Sequence, residues 1–231
     1  MALPATLQAL HPKLKLGSTD RAKVLPLFLG EALPDGGLPR GVVVELASPR
    51  ALGSATTVAL RACASAQAEA RLRGGPVSKQ SWVGGAWCAF VDPWSTLHAP
   101  AVLAHGVDPE RLLVVRPPPS AIARVLVRLA ESRVFGVIAV DTVAAPGVDA
   151  GVEPLGVSLD RWGTVVRRVA LAVENTDTSV IVMTDVLARR SMPLPVALRL
   201  ELDRRGPGLV QVRVAKDRYG RVAPPALVAV R

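Results

Sequence analysis

The chain has 231 residues, of which 28 are basic and 19 acidic, so its formal net charge is +9, and half of its residues are hydrophobic. These values exclude a disordered chain and a collagen-like one, and the length is sufficient for one sizeable hydrophobic core. No run of about 18 uncharged apolar residues occurs, so we expect no transmembrane helix. The first residues, Met1–His11, lack a basic stretch and contain Pro4, so we expect no signal peptide.

The first 30 residues contain scattered apolar positions interrupted by prolines. This pattern predicts an N-terminal arm or short helix over residues 1–30, packed on an α/β domain that spans residues 31–231. The segment 74–85, rich in glycine, serine and proline, is typical of a loop or mobile hairpin.

Short apolar runs bounded by turn residues predict five buried strands, at Val42–Leu46, Ala86–Val91, Leu112–Val115, Val134–Val140 and Val180–Thr184. Helical spacing of apolar residues predicts four helices, at Thr56–Arg73, Ser95–His105, Ser120–Arg133 and Ser158–Asn175. We expect Pro100 to kink or open the second helix and Ser120 to cap the third.

The tail, residues 191–231, has a different pattern. Apolar and polar residues alternate over Val196–Asp203 and again over Val210–Ala215, with Gly206-Pro207-Gly208 between them, which predicts a half-exposed antiparallel hairpin. The whole chain is therefore expected to be an α/β protein with a mainly parallel sheet flanked by helices and closed by C-terminal antiparallel strands.

The tail is also basic, with eight basic and three acidic residues. Its candidate contacts for single-stranded DNA or a protein partner are Arg204, Arg205, Lys216, Arg218 and Arg221. One aromatic residue, Tyr219, lies among them, so the pattern offers charge for phosphates without a row of stacking residues. A solvated basic face explains the same pattern equally well.

A strand, a glycine-containing loop and a helix over residues 45–57 place this segment where a phosphate-binding loop belongs. The P-loop pattern requires glycine, four residues, glycine, lysine and then serine or threonine. Here Ser48 occupies the first position, Ser54 the lysine position and Ala55 that of the magnesium-binding hydroxyl. Without that lysine and hydroxyl, we expect neither a bound nucleotide nor ATPase activity. Only an altered loop that used Thr56 and Arg50 would restore these groups.

Two carboxylates, Asp92 and Asp141, directly follow predicted strands and therefore face the edge of the sheet where ligands bind in such folds. Asp141 has the form of a magnesium-binding aspartate, but we expect it to cap nearby backbone N–H groups. Pro93 and Trp94 follow Asp92, and neither can take a proton from water. The degenerate nucleotide-pocket residues are thus Ser48, Pro49, Gly53, Ser54, Thr56 and Asp141, and we expect no catalytic residue.

The remaining reactive residues form no motif. The histidines, His11, His98 and His105, are separated in sequence, so packing or surface roles outweigh a zinc or acid-base role, and we expect no metal. Cys63 and Cys88 lie in apolar runs and are expected to be buried free thiols in a cytoplasmic protein. The tryptophans are expected to be packing anchors, although Trp82 and Trp94 lie in loops and are candidates for partner contacts.

The order of these motifs resembles the core of the RecA recombinase over residues 33–225. The matching segments are Leu38–Gly41, Val44–Leu46 with the loop at 48–57, Ala89–Asp92, Gly106–Asp108, Val137–Ala145 and the closing strands at 196–203 and 212–224. The chain departs from the RecA pattern at Ser48, Ser54, Ala55 and Trp94.

A closer resemblance is to ImuA-type proteins, the RecA-like accessory factors of a damage-inducible mutagenesis cassette that are related to SulA-like division inhibitors. It rests on Leu33–Gly41, Ala99–Leu103 and Gly106–Arg116. The resemblance implies a non-catalytic role in SOS mutagenesis and translesion synthesis, near the nucleoid when DNA is damaged. The implied partners are an ImuB-like inactive polymerase, RecA and, indirectly, an error-prone polymerase. Two alternatives remain, a RecA-like ATPase or recombinase paralogue and a SulA-like cell-division inhibitor.

Overall fold

The computed structural model describes residues 24–49, 54–74, 87–143, 159–187 and 193–230. The predictions for residues 1–23, for Arg50 and Gly53, and for the loop at 75–85 with its Trp82 lie outside these residues. Within the described part, the strands are β1 (Val24–Pro26), β2 (Gly37–Pro39), β3 (Val42–Ser48), β4 (Trp87–Val91), β5 (Leu112–Val115), β6 (Phe135–Asp141), β7 (Ser179–Asp185), β8 (Leu198–Gly206), β9 (Leu209–Asp217) and β10 (Ala226–Ala229). The helices there are α1 (Ser54–Gly74), α2 (Ala99–Ala104), α3 (Ile122–Ser132) and α4 (Leu159–Val173).

Eight of these strands form one sheet in the order β10–β9–β8–β3–β7–β6–β4–β5. The pairs from β8 through β3, β7, β6 and β4 to β5 are parallel, whereas β8, β9 and β10 pair antiparallel. A separate antiparallel pair joins β1 to β2. The predicted fold class, a mainly parallel sheet closed by C-terminal antiparallel strands, is confirmed.

The helices cover the two faces of this sheet. On one face, α1 packs with Val44 and Leu46 of β3, and on the other, α3 and α4 pack with Val43 of the same strand. All seven residues of β3 and all seven of β6 are buried, as expected for parallel strands covered on both faces. Trp162 of α4 has no exposed surface, which agrees with its prediction as a packing anchor.

The segment that leads into the domain is tied to the same core. Leu25 of β1 is fully buried, and Leu27 and Leu29 join it in the cluster beneath α1. These apolar side chains, spaced by two, place residues 24–30 against the domain.

Two predicted helix starts are wrong. The second helix begins at Ala99, and Pro100 lies in its first turn, where the missing N–H costs no hydrogen bond. The third begins at Ile122, and its N-cap is Ala121, which makes no side-chain cap bond. Ser120 lies instead inside a 3-10 turn, Pro119–Ala121, in which Ala121 N–H donates to the Pro118 carbonyl.

The predicted hairpin is confirmed, and its alternation places Leu198, Leu200 and Leu202 in the core with Val210, Val212 and Val214. The hairpin is also part of the main sheet, because β8 pairs in parallel with β3. The short strand β10 then pairs with β9 and forms one edge of the sheet, while β5 forms the other edge.

Candidate functional site

The candidate site lies where β3, β4 and β6 end and α1 begins. Ser48 ends β3 and is buried, and its carbonyl accepts a hydrogen bond of 3.2 Å from Val186 N–H. Ser54 and Ala55 open α1, and both are buried. At the positions that would hold lysine and the magnesium-binding hydroxyl, the chain therefore presents a short buried hydroxyl and a methyl group.

Asp92, which follows β4, is fully buried, and both oxygens of its carboxylate are hydrogen-bonded within the protein. Its Oδ1 accepts from Thr96 N–H at 2.8 Å and lies 3.2 Å from Thr96 Oγ1, while its Oδ2 accepts from Leu97 N–H at 3.2 Å. Arg116 Nε donates to Oδ2 at 3.3 Å. Asp92 thus caps two backbone N–H groups, a role that the sequence analysis assigned to Asp141 alone.

Asp141, at the end of β6, is linked to Asp92 through Thr96. Thr96 Oγ1 lies 3.3 Å from Asp141 Oδ2, and Val143 N–H donates to Asp141 Oδ1 at 2.8 Å. The capping role predicted for Asp141 is therefore also confirmed. A hydroxyl has one proton, so Thr96 can donate to one of the two carboxylates at a time.

The pKa of Asp141 is raised to about 6, mainly by burial and to a smaller extent by the negative charge of Asp92. The hydrogen bonds from Val143 N–H and the Thr96 hydroxyl act in the opposite direction but do not cancel the effect of burial. Asp141 therefore binds a proton more readily than an exposed carboxylate does. A proton on this carboxylate competes with any cation that would bind there.

Trp94 lies in the turn after Asp92 and is half-buried. Its indole N–H is buried and has no hydrogen-bond partner in the part of the chain that the structure describes. Indole nitrogen is a donor only, so Trp94 cannot act as a general base. The groups at this edge thus do not fit a magnesium-bound nucleotide, since they supply no lysine ammonium, no magnesium-binding hydroxyl at position 55 and no base at position 94.

Sequence reasoning missed the roles of Thr96 and Arg116. A signal for Arg116 exists, because Val91 is in register with Val115 in the parallel pair of β4 and β5. The residues that follow these two strands, Asp92 and Arg116, therefore lie side by side. Thr96 carries no comparable signal, since its position depends on the turn that Asp92 itself stabilises.

A second polar cluster that the sequence did not indicate lies on β3. Glu45 is fully buried, and Thr184 Oγ1 donates to it at 2.6 Å. Arg199, in register with Glu45 on β8, lies 3.7 Å from its Oε2 and 3.4 Å from Oε1 of Glu201. Arg213 of β9 also pairs with Glu201. The ion pairs thus run across three strands and connect the hairpin to the centre of the sheet.

The basic tail residues are distributed between paired and unpaired positions. Arg221 donates to both carboxylate oxygens of Asp35, at 2.6 and 2.9 Å, and its guanidinium also holds the pKa of Asp217 below the ordinary range. Arg218 and Arg221 lie 4.7 and 4.9 Å from the ring centre of Tyr219, within the range of cation–π interactions.

The other candidate contacts of the tail are Arg204, Arg205 and Lys216. Arg205 pairs with Asp203 at 3.0 Å and donates to Gln211, and Lys216 donates to the Leu194 carbonyl at 3.2 Å. Among the described residues, Arg204, Lys216 and Arg218 have no carboxylate partner within 4.0 Å. Of the five candidate tail contacts, these three therefore keep a positive charge that no described carboxylate balances.

The histidines and cysteines form no reactive site in the described residues. His98 and His105 flank the short helix α2, and no group of three or more histidine, cysteine or acidic residues there could hold a metal ion. Cys63 and Cys88 are buried free thiols, as predicted, and the pKa of Cys63 is raised well above its ordinary value by its hydrogen bond with Cys88 and by burial. No helix in the described ranges has the length and apolar character needed to cross a bilayer.

Comparisons with known proteins identify the family to which this fold belongs. The RecA N-terminal domain family matches residues 14–189. The protein RecA of Cutibacterium acnes is 36% identical over 149 residues, which are 61% of this chain and 37% of that protein. The protein RecA of Mycobacterium sp. (strain KMS) is 32% identical over 183 residues, 73% of this chain and 47% of that protein. The chain thus spans less than half the length of these relatives.

A solved structure, that of the RadB recombinase, matches with a TM-score of 0.59 over 87% of this chain and 92% of that chain, at 16% identity. This likeness shows the fold, and the family match covers most of the chain. The chain therefore belongs to the family defined by the RecA N-terminal domain.

Proposed function

We propose that this protein is a non-catalytic member of the RecA family that acts by binding other macromolecules in damage-induced translesion DNA synthesis and mutagenesis. The observation that carries the proposal is the chemistry of the phosphate-binding loop. Buried Ser54 and Ala55 replace the lysine and the magnesium-binding hydroxyl. Without these groups the charge of a triphosphate is not compensated, and a magnesium ion loses a ligand.

The neighbouring carboxylates support the same conclusion. Asp92 is occupied by two backbone N–H groups, by Thr96 and by Arg116. Its negative charge is thus already balanced by Arg116 and by these hydrogen-bond donors. Asp141, with a pKa of about 6, is partly protonated at mildly acidic pH and hydrogen-bonded on both oxygens. These contacts stabilise the ends of β4 and β6, and we infer that they replace the catalytic arrangement of an ATPase.

The finer assignment rests on the resemblance to ImuA-type proteins at residues 33–41, 99–103 and 106–116. We propose that the protein recruits an ImuB-like inactive polymerase and RecA, and through them an error-prone polymerase, to damaged DNA. Arg204, Lys216 and Arg218 are the candidate tail contacts for a partner or for single-stranded DNA.

A second candidate function is a RecA-like ATPase or recombinase. It is favoured by the relatives themselves, which carry the name RecA. It would require Thr56, half-buried in the first turn of α1, to provide the missing hydroxyl. Nucleotide binding separates the two candidates.

The recruitment role is tested by pull-down from DNA-damaged cells with the full chain as bait. We expect capture of RecA and of an inactive polymerase, together with a lower induced mutation frequency when the gene is deleted. The charge reversals Arg204→Glu and Arg218→Glu, at exposed positions of the tail, and a version lacking residues 1–23 locate the contact while leaving the core strands intact. An unchanged induced mutation frequency together with filamentous cells on overexpression would instead identify a division inhibitor.

A further inference from the structure

A groove beside the C-terminal half of α4 lies apart from the remnant of the nucleotide pocket. It has a volume of about 470 Å³ and runs between α4, the beginning of β3 and the segment that leads into β8. Because β3, β7 and β8 are parallel, their first residues lie at the same edge of the sheet. Asp92 and Asp141 lie at the opposite edge, where β4 and β6 end, so the groove is a separate feature of the surface.

The groove exposes apolar surface along a second stripe of α4. Trp162, Val166, Val169 and Val173 face the core, whereas Arg167, Leu171 and Glu174, which are spaced by four and three residues, form a neighbouring stripe that lines the groove. Leu171 is 70% exposed, so most of its side chain has no packing partner. The other apolar lining residues include Val42, Val43, Ala170, Pro195 and Val196.

The charged residues of the groove are two arginines and one glutamate. Arg167 on α4 and Arg218 after β9 are both exposed, and no carboxylate of the described residues lies within 4.0 Å of either guanidinium. Glu174, directly after α4, is exposed and has no described cation within the same distance. The apolar surface is therefore bordered by a net positive charge that the protein does not balance itself.

Arg218 is held in place by its surroundings. Its backbone N–H donates to the Ala197 carbonyl at 2.8 Å, and the N–H groups of Tyr219 and Arg221 both donate to Asp217 Oδ2 at 3.1 Å. Its guanidinium lies 4.7 Å from the ring centre of Tyr219, which is 60% exposed. A preorganised arginine beside an exposed aromatic ring loses little entropy on binding, and both residue types are enriched where binding energy concentrates.

We infer that this groove docks a segment of a partner protein that packs a large apolar side chain against Leu171 and places carboxylates beside Arg167 and Arg218. The inference rests on the proposed binding role and names the surface and the chemistry of the partner. Burial of the exposed apolar surface supplies affinity, and the two arginines select against basic segments. An apolar lining with a carboxylate at Glu174 fits a protein segment better than it fits a phosphate backbone.

The test selects a random dodecapeptide phage library on the full chain and measures the affinity of the best peptides, made synthetically, by fluorescence anisotropy. We expect these peptides to carry a large apolar residue flanked by aspartate or glutamate. Leu171→Lys should weaken their binding about tenfold or more, because it places an ammonium group where the apolar side chain packs. Arg167→Glu and Arg218→Glu should each weaken binding, whereas Glu174→Gln should strengthen it, because it removes a repulsive charge.

The matched control is Leu72→Lys near the end of α1, an exposed helical leucine that does not line the groove and is 88% exposed. This change should leave peptide affinity unaltered. Far-ultraviolet circular dichroism and urea midpoints establish that each variant is folded.

A selection that yields no peptide, basic peptides or peptides whose affinity Leu171→Lys leaves unaltered would overturn the inference. So would a dimer in sedimentation velocity that Leu171→Lys dissociates, because the occupant would then be a second copy of the chain. Binding of a labelled oligo-dT that depends on Arg167 and Arg218 but not on Leu171 would assign the groove to nucleic acid instead.

The proposed recruitment role has a separate readout in the pull-down from DNA-damaged cells. If the Leu171→Lys protein still captures RecA and the inactive polymerase there, the groove fails as the docking site while the recruitment role survives. If the unchanged protein captures neither, the recruitment role fails whatever the peptides show.

Discussion

Nε of Arg116 lies 3.3 Å from Oδ2 of Asp92, so a residue that follows the edge strand neutralises the buried carboxylate that follows the next strand. Asp92 has no exposed surface, whereas the Arg116 side chain is 53% exposed. The pair thus connects the end of the edge strand β5 to the remnant of the nucleotide pocket.

Removing Arg116 should destabilise the protein. We expect Arg116→Ala to lower the free energy of unfolding by about 1 to 2 kcal/mol, less than for a fully buried pair because the arginine is half in solvent. Urea denaturation measures this change. The control is Arg204→Ala, at an exposed position without an ion pair in the described residues, where the change should stay within about 0.5 kcal/mol. Equal effects of the two substitutions would contradict the role assigned to Arg116.

The pKa of Asp141 predicts a pH-dependent stability. In the unfolded chain this carboxyl titrates near its ordinary value of 3.8, and in the folded protein it titrates at about 6. Between these values the folded state binds the additional proton, so stability falls as pH rises through this window, by roughly 2 to 3 kcal/mol.

Asp141→Asn should remove that loss, since an amide has no proton to release. We expect the variant to be more stable than the parent at pH 7.5 and to have little or no advantage at pH 4. The urea midpoints of both proteins between these pH values are the measurement, with Asp203→Asn on the exposed face of β8 as control. An advantage that is independent of pH would show that the titration of Asp141 is not its cause.

The ion pair between Glu45 and Arg199 should be strongly coupled. Glu45 is fully buried and Arg199 is 17% exposed, so Arg199→Ala should cost about 3 kcal/mol, because it removes a guanidinium charge 3.7 Å from a buried carboxylate oxygen. Glu45→Gln should offset part of that cost, because a neutral amide does not need the guanidinium. A double-mutant cycle measured by urea denaturation quantifies the coupling, and additive effects would contradict it.

Much of the fold could be predicted because its central strands are continuous apolar runs, such as Val42–Leu46 and Val134–Val140. A strand buried on both faces requires such a run, and little else in a chain produces it. The hairpin was equally clear, since one buried face requires alternation. The strand β10 was not predicted, because it is short and only partly buried.

The site was predictable in its chemistry but not in its contacts. The amino-acid sequence alone shows that Ser54 occupies the lysine position of the loop and that Ala55 occupies the position of the magnesium-binding hydroxyl. The contacts of Thr96 were not predictable, because they depend on the turn after β4 and on the position of β6 beside it. Local sequence does not determine how such a turn brings Thr96 between Asp92 and Asp141. The helix start at Ile122 was missed for a similar reason, since the preceding prolines form a 3-10 turn that replaces the expected serine cap.

The central claim is that the degenerate phosphate-binding loop neither binds nor hydrolyses ATP. Its most direct test is titration calorimetry of the full chain with ATP and magnesium, combined with a phosphate-release assay. We predict no saturable heat and no turnover, with or without single-stranded DNA. Micromolar binding or measurable turnover that Asp141→Asn abolishes would contradict the account and identify a working nucleotide site.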